Sequence, residues 1–358
     1  MALLWCDGFE GYGTGNDTPL TPTGVLADKY IGVINESGLD VITINARHGH
    51  AIQLTNVGSE FSAFSTPAIA SGNTIICGSA LYFNQQTDWQ NGTYWPIFVF
   101  WNVEGNINAE LTLSESGVYL RDAATVIQGG SRCQMLWGDW NYIEAKMYSH
   151  ATEGTIDVRI NGCPVLSLTS QNTLHASGSA ANKVQYGTDY SVERKQNAIL
   201  DDFYVCDGTG STNNDFLGPV TVRTLFPDGD DIAQFAVTGN ANYSTHYEQL
   251  NDDHESYPTT DYVEDGTTGN RDIYTLDNST DNFATIYGVV GWGYAKYISG
   301  AINYRLVASS NGTENESSNI AASSDWHYDR HVLETDPDTS NAWTDSTINA
   351  LKFGFEVQ

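Results

Sequence analysis

The sequence predicts an all-β protein made of two consecutive sandwiches. Three observations lead there. Apolar residues recur at every second position in run after run, glycine and asparagine punctuate those runs at turn spacing, and no stretch sustains the repeat of an amphipathic helix. Composition agrees: 34 glycines and 12% aromatic residues, including 20 tyrosines and 9 tryptophans, are spread over 358 positions, the profile of short strands joined by tight turns. A chain of this length is long for one domain and suits two of roughly 150 residues each.

The strands follow in order. TIICGSALYF (74–83), WPIFVFW (95–101), ELTLSESGVYLR (110–121), WNYIEAKMY (140–148), TIDVRINGCPVLSL (155–168) and ILDDFYVCD (199–207) alternate with period two. In WNYIEAKMY the face carrying Asn141, Ile143, Ala145 and Met147 is expected in the core, leaving Trp140, Tyr142, Glu144 and Lys146 wet. Asn161-Gly162 is the strongest hairpin signal, because both residues accept the positive φ that a two-residue turn demands. A strand after Gly218 leading into a Pro227-Asp228-Gly229 turn sets the expected boundary, with a first domain at 1–218 and a second at 219–358. Alternation resumes at 284–297, 301–312 and 327–336. At the end, Trp343 precedes a short helical turn that Thr344 can cap. Leu351, Phe353, Phe355 and Val357 then share one face of a last strand. That face must be covered, either by the second core alone or also by a seam between subunits.

Charge narrows the partners. The net charge is −29, from 44 acidic and 15 basic residues. Divided after Gly218, the first part holds 9 basic and 22 acidic residues and the second 6 and 22. Acidity on this scale in both parts speaks against nucleic acid and anionic membrane surfaces as partners. Cys6, Cys77, Cys133, Cys163 and Cys206 are odd in number and have no CxxC spacing, which fits reduced thiols. MALLWCDGFEGYG lacks a basic n-region, and no apolar run has membrane-spanning length, so synthesis and folding in the cytoplasm and no membrane insertion are expected.

Four stretches, in this order, suggest a family: LWCDGFEGY at the start, RHGHAIQL (47–54), WNYIEAKMYSHATEGTIDVRINGCPVLSL (140–168) and LDDFYVCDGTGSTNNDFLG (200–218). Together they resemble the concanavalin A-like, laminin-G-like jelly-roll domains of tailed-bacteriophage virion proteins, over residues 1–218. The resemblance implies a two-sheet sandwich whose first and last strands pair, bringing Asp7 and Phe9 near Asp201 to Tyr204. DPDTSNAWTDSTINALKFGFEV (336–357) is similar to the closing segment of many phage tail and other virion proteins. What these likenesses imply is a non-enzymatic structural component of a virion, in the tail or adsorption apparatus. Its partners would be other virion proteins, copies of itself and host surface glycan. The alternative is a capsid decoration protein, a cement protein or head fibre, and a third reading is a glycoside hydrolase.

The hydrolase reading needs paired carboxylates. The E-x-D-x-E pattern of laminarinase-like jelly rolls is absent, and Asp201 and Asp202, as neighbours on a strand, are expected to face opposite ways. No catalytic residue is assigned. Calcium is the one candidate cofactor, through hard oxygen ligands from Asp7, Glu10, Asp201, Asp202 and Asp207 near the paired termini. His48 and His50 lack a third ligand for zinc. TDWQNGTYWP (87–96) sets Trp89, Tyr94 and Trp95 among polar residues, the mixture that stacks on sugar rings and bonds their hydroxyls. Interface or core packing accounts for the same rings.

Overall fold

The structure is a computed structural model. It describes residues 2–12, 25–34, 38–43, 45–55, 62–83, 95–114, 117–122, 127–131, 136, 138–176, 178–187, 197–239, 244–250, 261–300 and 302–358. The chain is all-β and divides into two units, Met1–Arg223 and Thr224–Gln358.

In the first unit β1 (Leu3–Asp7) and helix α1 (Val25–Lys29) lead into β2 (Ile31–Ile34), β3 (Leu39–Ile42), β4 (Ala51–Thr55), β5 (Ala63–Ser65) and β6 (Thr74–Phe83). β7 (Trp95–Trp101), β8 (Ile107–Ser114), β9 (Gly117–Asp122), β10 (Ile127–Ser131) and β11 (Trp140–Tyr148) follow. β12 (Gly154–Ile160), β13 (Cys163–Gln171), β14 (Lys183–Gly187) and β15 (Asn197–Asp207) complete it. Among the described residues these strands make two antiparallel sheets. One runs β13-β12-β11-β6-β15-β4-β3, with β1 also on β15, and the other runs β10-β9-β8-β7-β14-β5-β2. The first and last strands pair, Asp7 opposite Phe203. The hairpin turn at Asn161 (φ 51°) and Gly162 (φ 77°) has the two positive φ angles its sequence promises.

Alternation on β11 places Asn141, Ile143, Ala145 and Met147 in the core, each fully buried. Trp5, Phe9, Tyr30, Phe64, Tyr186, Phe98 and Phe203 fill one region between the sheets, joined by ring contacts such as Tyr30 to Phe64 at 4.9 Å and Tyr186 to Phe203 at 5.1 Å. The opposite face of β11 does not stay wet. Tyr142 and Glu144 are buried there too, because residues 215–222 lie across it. The backbone N–H of Gly218 donates to Glu144 Oε1 at 2.8 Å, and that of Leu217 to Tyr204 Oη at 3.3 Å. Lys146 pairs with Asp215 at 3.0 Å, and the Arg159 guanidinium stands 4.3 Å from the Phe216 ring centre.

That segment also corrects the strand expected after Gly218. Residues 218–226 are not in a strand, and Pro227 opens β16 (Pro227–Ala233) instead of a turn. An edge strand tolerates proline at its first position, where no ladder N–H is needed. The second unit continues with β17 (Ala236–Thr238), β18 (Tyr262–Glu264), β19 (Arg271–Leu276), β20 (Val289–Ala295), β21 (Asn303–Ser310), β22 (Thr313–Glu316), β23 (Ile320–Ala321), β24 (His327–Leu333), helix α2 (Asp345–Ile348) and β25 (Leu351–Val357). Its main sheet runs β16-β19-β25-β21-β22 with β23 also on β21, and β20-β24 and β17-β18 are separate ribbons. β25 is therefore a central strand.

Candidate functional site

The acidic residues singled out in the first unit meet at an irregularity in β15. Its register against β6 shifts between Asp201 and Tyr204, and Asp202 takes a left-handed backbone (φ 51°). This bulge cancels the strand alternation, so the expectation of opposite faces is wrong: both carboxylates meet the segment around Arg47. Asp201 Oδ2 accepts from the N–H of Arg47 at 2.9 Å and of His48 at 3.2 Å. Asp202 Oδ2 accepts from Arg47 Nη1 at 2.6 Å, and its Oδ1 from the N–H of Val222 at 2.6 Å. The freed carbonyls are satisfied as well, Asp201 O by Ser79 Oγ at 2.7 Å and Asp202 O by Tyr142 Oη at 3.1 Å.

Both aspartates are fully buried. Burial and the neighbouring Asp202 carboxylate push the Asp201 carboxyl up to about 8. Burial raises Asp202 as well, against the pull of Arg47. Two adjacent buried carboxyls, both raised by burial, have the makings of an acid and base pair. All four of their oxygens, however, accept hydrogen bonds from the protein, Asp201 Oδ1 from the N–H of Asp202 at 2.7 Å. The pair works as a clasp, fixing residues 45–50 and 215–222 to the sheet. Glu144 belongs to the same layer. Its Oε1 accepts from Tyr204 Oη at 2.6 Å, and its Oε2 is buried with no hydrogen-bond partner among the described residues.

The five carboxylates considered for calcium are not gathered. No group of three or more His, Cys, Asp or Glu side chains fit to hold a metal occurs among the described residues. Asp7 faces inward on β1, where its Oδ2 meets Tyr12 Oη (2.6 Å), Tyr30 Oη (2.9 Å) and Lys29 Nζ (2.9 Å) and its Oδ1 accepts from the N–H of Phe9 (3.0 Å). Asp207 closes a turn through the N–H (2.9 Å) and Oγ1 (2.5 Å) of Thr209. Glu10 lies against Gly49. Register along β1 and β15 has sent the acids to separate tasks.

The terminal residues pack within the second unit. Trp343 is buried and its Nε1 donates to Leu333 O at 3.0 Å. It packs with Ala308, Leu333, Ile348 and Leu351, with Phe353 alongside. Thr344 caps α2, its hydroxyl accepting from the N–H of Thr347 at 3.3 Å. Val357 is buried, and Phe353 and Phe355 turn the same way, toward β20.

Of the residues considered for sugar stacking, Trp89 and Tyr94 lie outside the described residues. Trp95 opens β7 opposite Leu113. An aromatic surface that the sequence reading passed over stands instead on the β20–β24 ribbon. A side chain at Gly291 would strike the Phe353 ring, and one at Gly293 would strike Leu306 and the Phe355 ring. That face of the ribbon is seated on the main sheet. Alternation then turns Trp292 and Tyr294 the other way, together with Trp326 just ahead of β24 and Tyr328 upon it. All four are partly exposed. Their rings form a continuous row: Trp326 to Tyr294 at 5.0 Å and 17°, Tyr294 to Tyr328 at 4.4 Å and 31°, Tyr328 to Trp292 at 6.2 Å and 84°. Tyr262 meets Trp326 edge-on at 6.4 Å, and Lys296 Nζ stands 4.9 Å from the centre of the Trp326 ring. The signal was in GWGYAK, where glycines at 291 and 293 alternate with rings at 292 and 294. Within GWGY one side of the strand is glycine and the other aromatic.

No family model matches the chain, and no curated protein matches it. Among solved structures, similarity extends to the alginate lyase vAL-1 from Chlorella virus, at TM-score 0.39 and 13% identity over 52% of this chain and 95% of that one. Domain 4 of AbnA, a GH43 extracellular arabinanase from Geobacillus stearothermophilus, in complex with arabinotriose, matches at TM-score 0.33 and 15% identity over 47% and 75%. A native heptameric SAP-like pentraxin from Limulus polyphemus matches at TM-score 0.32 and 12% identity over 42% and 72%.

Proposed function

We propose that this chain is a non-enzymatic structural protein that contacts glycan, and that the contact is made by the aromatic face of the β20–β24 ribbon. The observation that carries this is the row of four partly exposed rings, Trp292, Tyr294, Tyr328 and Trp326, on a strand pair whose other face is fixed to a sheet. Tyrosine and tryptophan present an apolar body with a polar tip, which suits the alternating C–H faces and hydroxyls of a sugar chain. A row built on strands is held in place before a ligand arrives, so little ordering opposes binding. In support of a non-catalytic role, the buried Asp201–Asp202 pair spends its oxygens inside the protein, and residues 215–222 cover the sheet face beside it.

The setting we propose is a tailed-phage virion, in the tail or adsorption apparatus, which rests on the resemblance carried by residues 1–218. Affinity electrophoresis through gels containing bacterial polysaccharides tests the glycan contact. The protein should be retarded in at least one gel, and a Trp292→Ala, Tyr328→Ala variant should migrate freely while keeping its circular dichroism. Equal retardation of protein and variant would place the contact elsewhere. Release of new sugar ends, lost on changing a single acidic residue, would overturn the non-enzymatic part. Gold-labelled antibody on particles tests the setting: label on the tail is expected, label on the head favours the decoration protein, and no label removes the virion from the proposal.

A further inference from the structure

We infer that Lys29 and Asp7 become joined by an amide bond between Nζ and Cγ, a covalent link that the chain makes for itself and that ties helix α1 to β1. The ground is the setting in which the two side chains meet. Both are nearly buried, 8% and 5% exposed, with Nζ 2.9 Å from Oδ2. Rings surround the pair. The centre of Tyr12 is 5.3 Å from Nζ, Phe9 lies against Tyr12, and Trp5 and Phe64 lie against Tyr30. Two full charges are costly to keep in such surroundings, and an amide in their place carries none.

The Asp7 carboxyl is also held as an acyl group would be. Oδ1, the oxygen that stays, accepts from the N–H of Phe9 at 3.0 Å, a donor placed for the negative charge that gathers there when nitrogen adds to Cγ. Oδ2, the oxygen that leaves, accepts from Tyr12 Oη at 2.6 Å and Tyr30 Oη at 2.9 Å. Burial, with the Asp7 charge, holds the Tyr30 hydroxyl well above its ordinary range, so it stays a donor. The Phe9 N–H is kept in place against strain, since Phe9 has a left-handed backbone (φ 65°) that a bulky residue adopts only under constraint. The step balances without a co-reactant. One proton passes from the Nζ ammonium to Oδ2, and the freed lone pair forms the N–C bond. A second Nζ proton follows to Oδ2, and the Cγ–Oδ2 bond breaks to release water. The third proton stays on the amide nitrogen. Strand and helix hold the reactants in contact, and well-oriented groups within one molecule reach effective concentrations of about 10⁵–10⁸ M. That offsets the unfavourable equilibrium of the same reaction between separate molecules in water.

The test is mass spectrometry of the full chain, held for a week at neutral pH, then unfolded and digested with trypsin, which cuts after lysine only where the amine is free. No basic residue precedes Lys29, and the next after it is Arg47. The linked chain should therefore yield a fragment that runs on to Arg47 and is lighter than its sequence by one water, and the fragment ending at Lys29 should be lost. Fragmentation in the spectrometer should place the missing water across Asp7 and Lys29. Lys29→Arg, whose guanidinium keeps its charge and has no lone pair to add to Cγ, should show full mass and be cut after position 29. A fragment ending at Lys29 at its full mass overturns the inference and leaves an ion pair. The same fragment lighter by one water overturns it too, because it marks closure of Asp7 onto the backbone nitrogen of Gly8 instead.

Discussion

Asp202 occupies a backbone region that costs a non-glycine residue about 1–3 kcal/mol, and it is held there by bonds to Arg47 and Val222 and by Tyr142 on its carbonyl. Asp201 beside it carries a consequence for pH. Its folded carboxyl is raised to about 8 from an ordinary value of 3.8. Between those values the folded unit keeps a proton that the unfolded chain has released. Stability therefore falls as pH rises from about 4 to about 8, by at most about 1.4 kcal/mol per unit, and levels off above. Urea midpoints of the first unit at pH 5 and pH 8 should show this decline, and Asp201→Asn should flatten it. An unchanged slope in that variant would mean the proton resides elsewhere. Nothing in LDDF announces the bulge, since any strand can carry two acids in a row; aspartate's tolerance of left-handed backbone is a permission and no signal. The aromatic row was more legible. Glycine and ring alternate in GWGY, whereas the rings of TDWQNGTYWP sit among polar residues, the commoner composition of a sugar site.

At the scale of elements, period two was sufficient to place most strands, because one buried face leaves no freedom in the pattern. It could not show that residues 215–222 would cover the far side of β11, since a covering segment has no periodicity of its own. Nor could it show that the last strand would lie in the middle of its sheet. β25 pairs with β19 on one side and β21 on the other, so its loss splits the sheet between those two strands as well as removing Leu351, Phe353, Phe355 and Val357. Deleting residues 351–358 should abolish the second unit's calorimetric transition and leave the first unit's in place. A surviving second transition would show that the strand serves assembly and not the fold. Trp343→Ala, a milder change in the same core, should cost about 3–5 kcal/mol and lower the second transition alone.

For the molecule as a whole, acidity is spread over both units, 22 acidic residues on each side of Gly218, which keeps such a protein soluble at high local concentration. The pairing of β1 with β15 has a further consequence, and it is mechanical. Leu3 is opposite Cys206, and the N–H of Asp207 bonds Ala2 O at 2.8 Å, so the two ends of this strand pair leave from the same place. Tension applied between Ala2 and Gly208 would open the pair as a zipper, one rung at a time, each bond bearing the whole load in turn. Tension applied between Ala2 and the hairpin tip at Gly162 would run along the strands of the same sheet and load many rungs at once. In an optical trap the first pair of handles should yield at clearly lower force than the second, although the thermodynamic stability is the same in both. Equal rupture forces would mean that a different part of the unit gives way first. A strand pair that opens rung by rung from one end can lengthen under tension and close again when the tension is released.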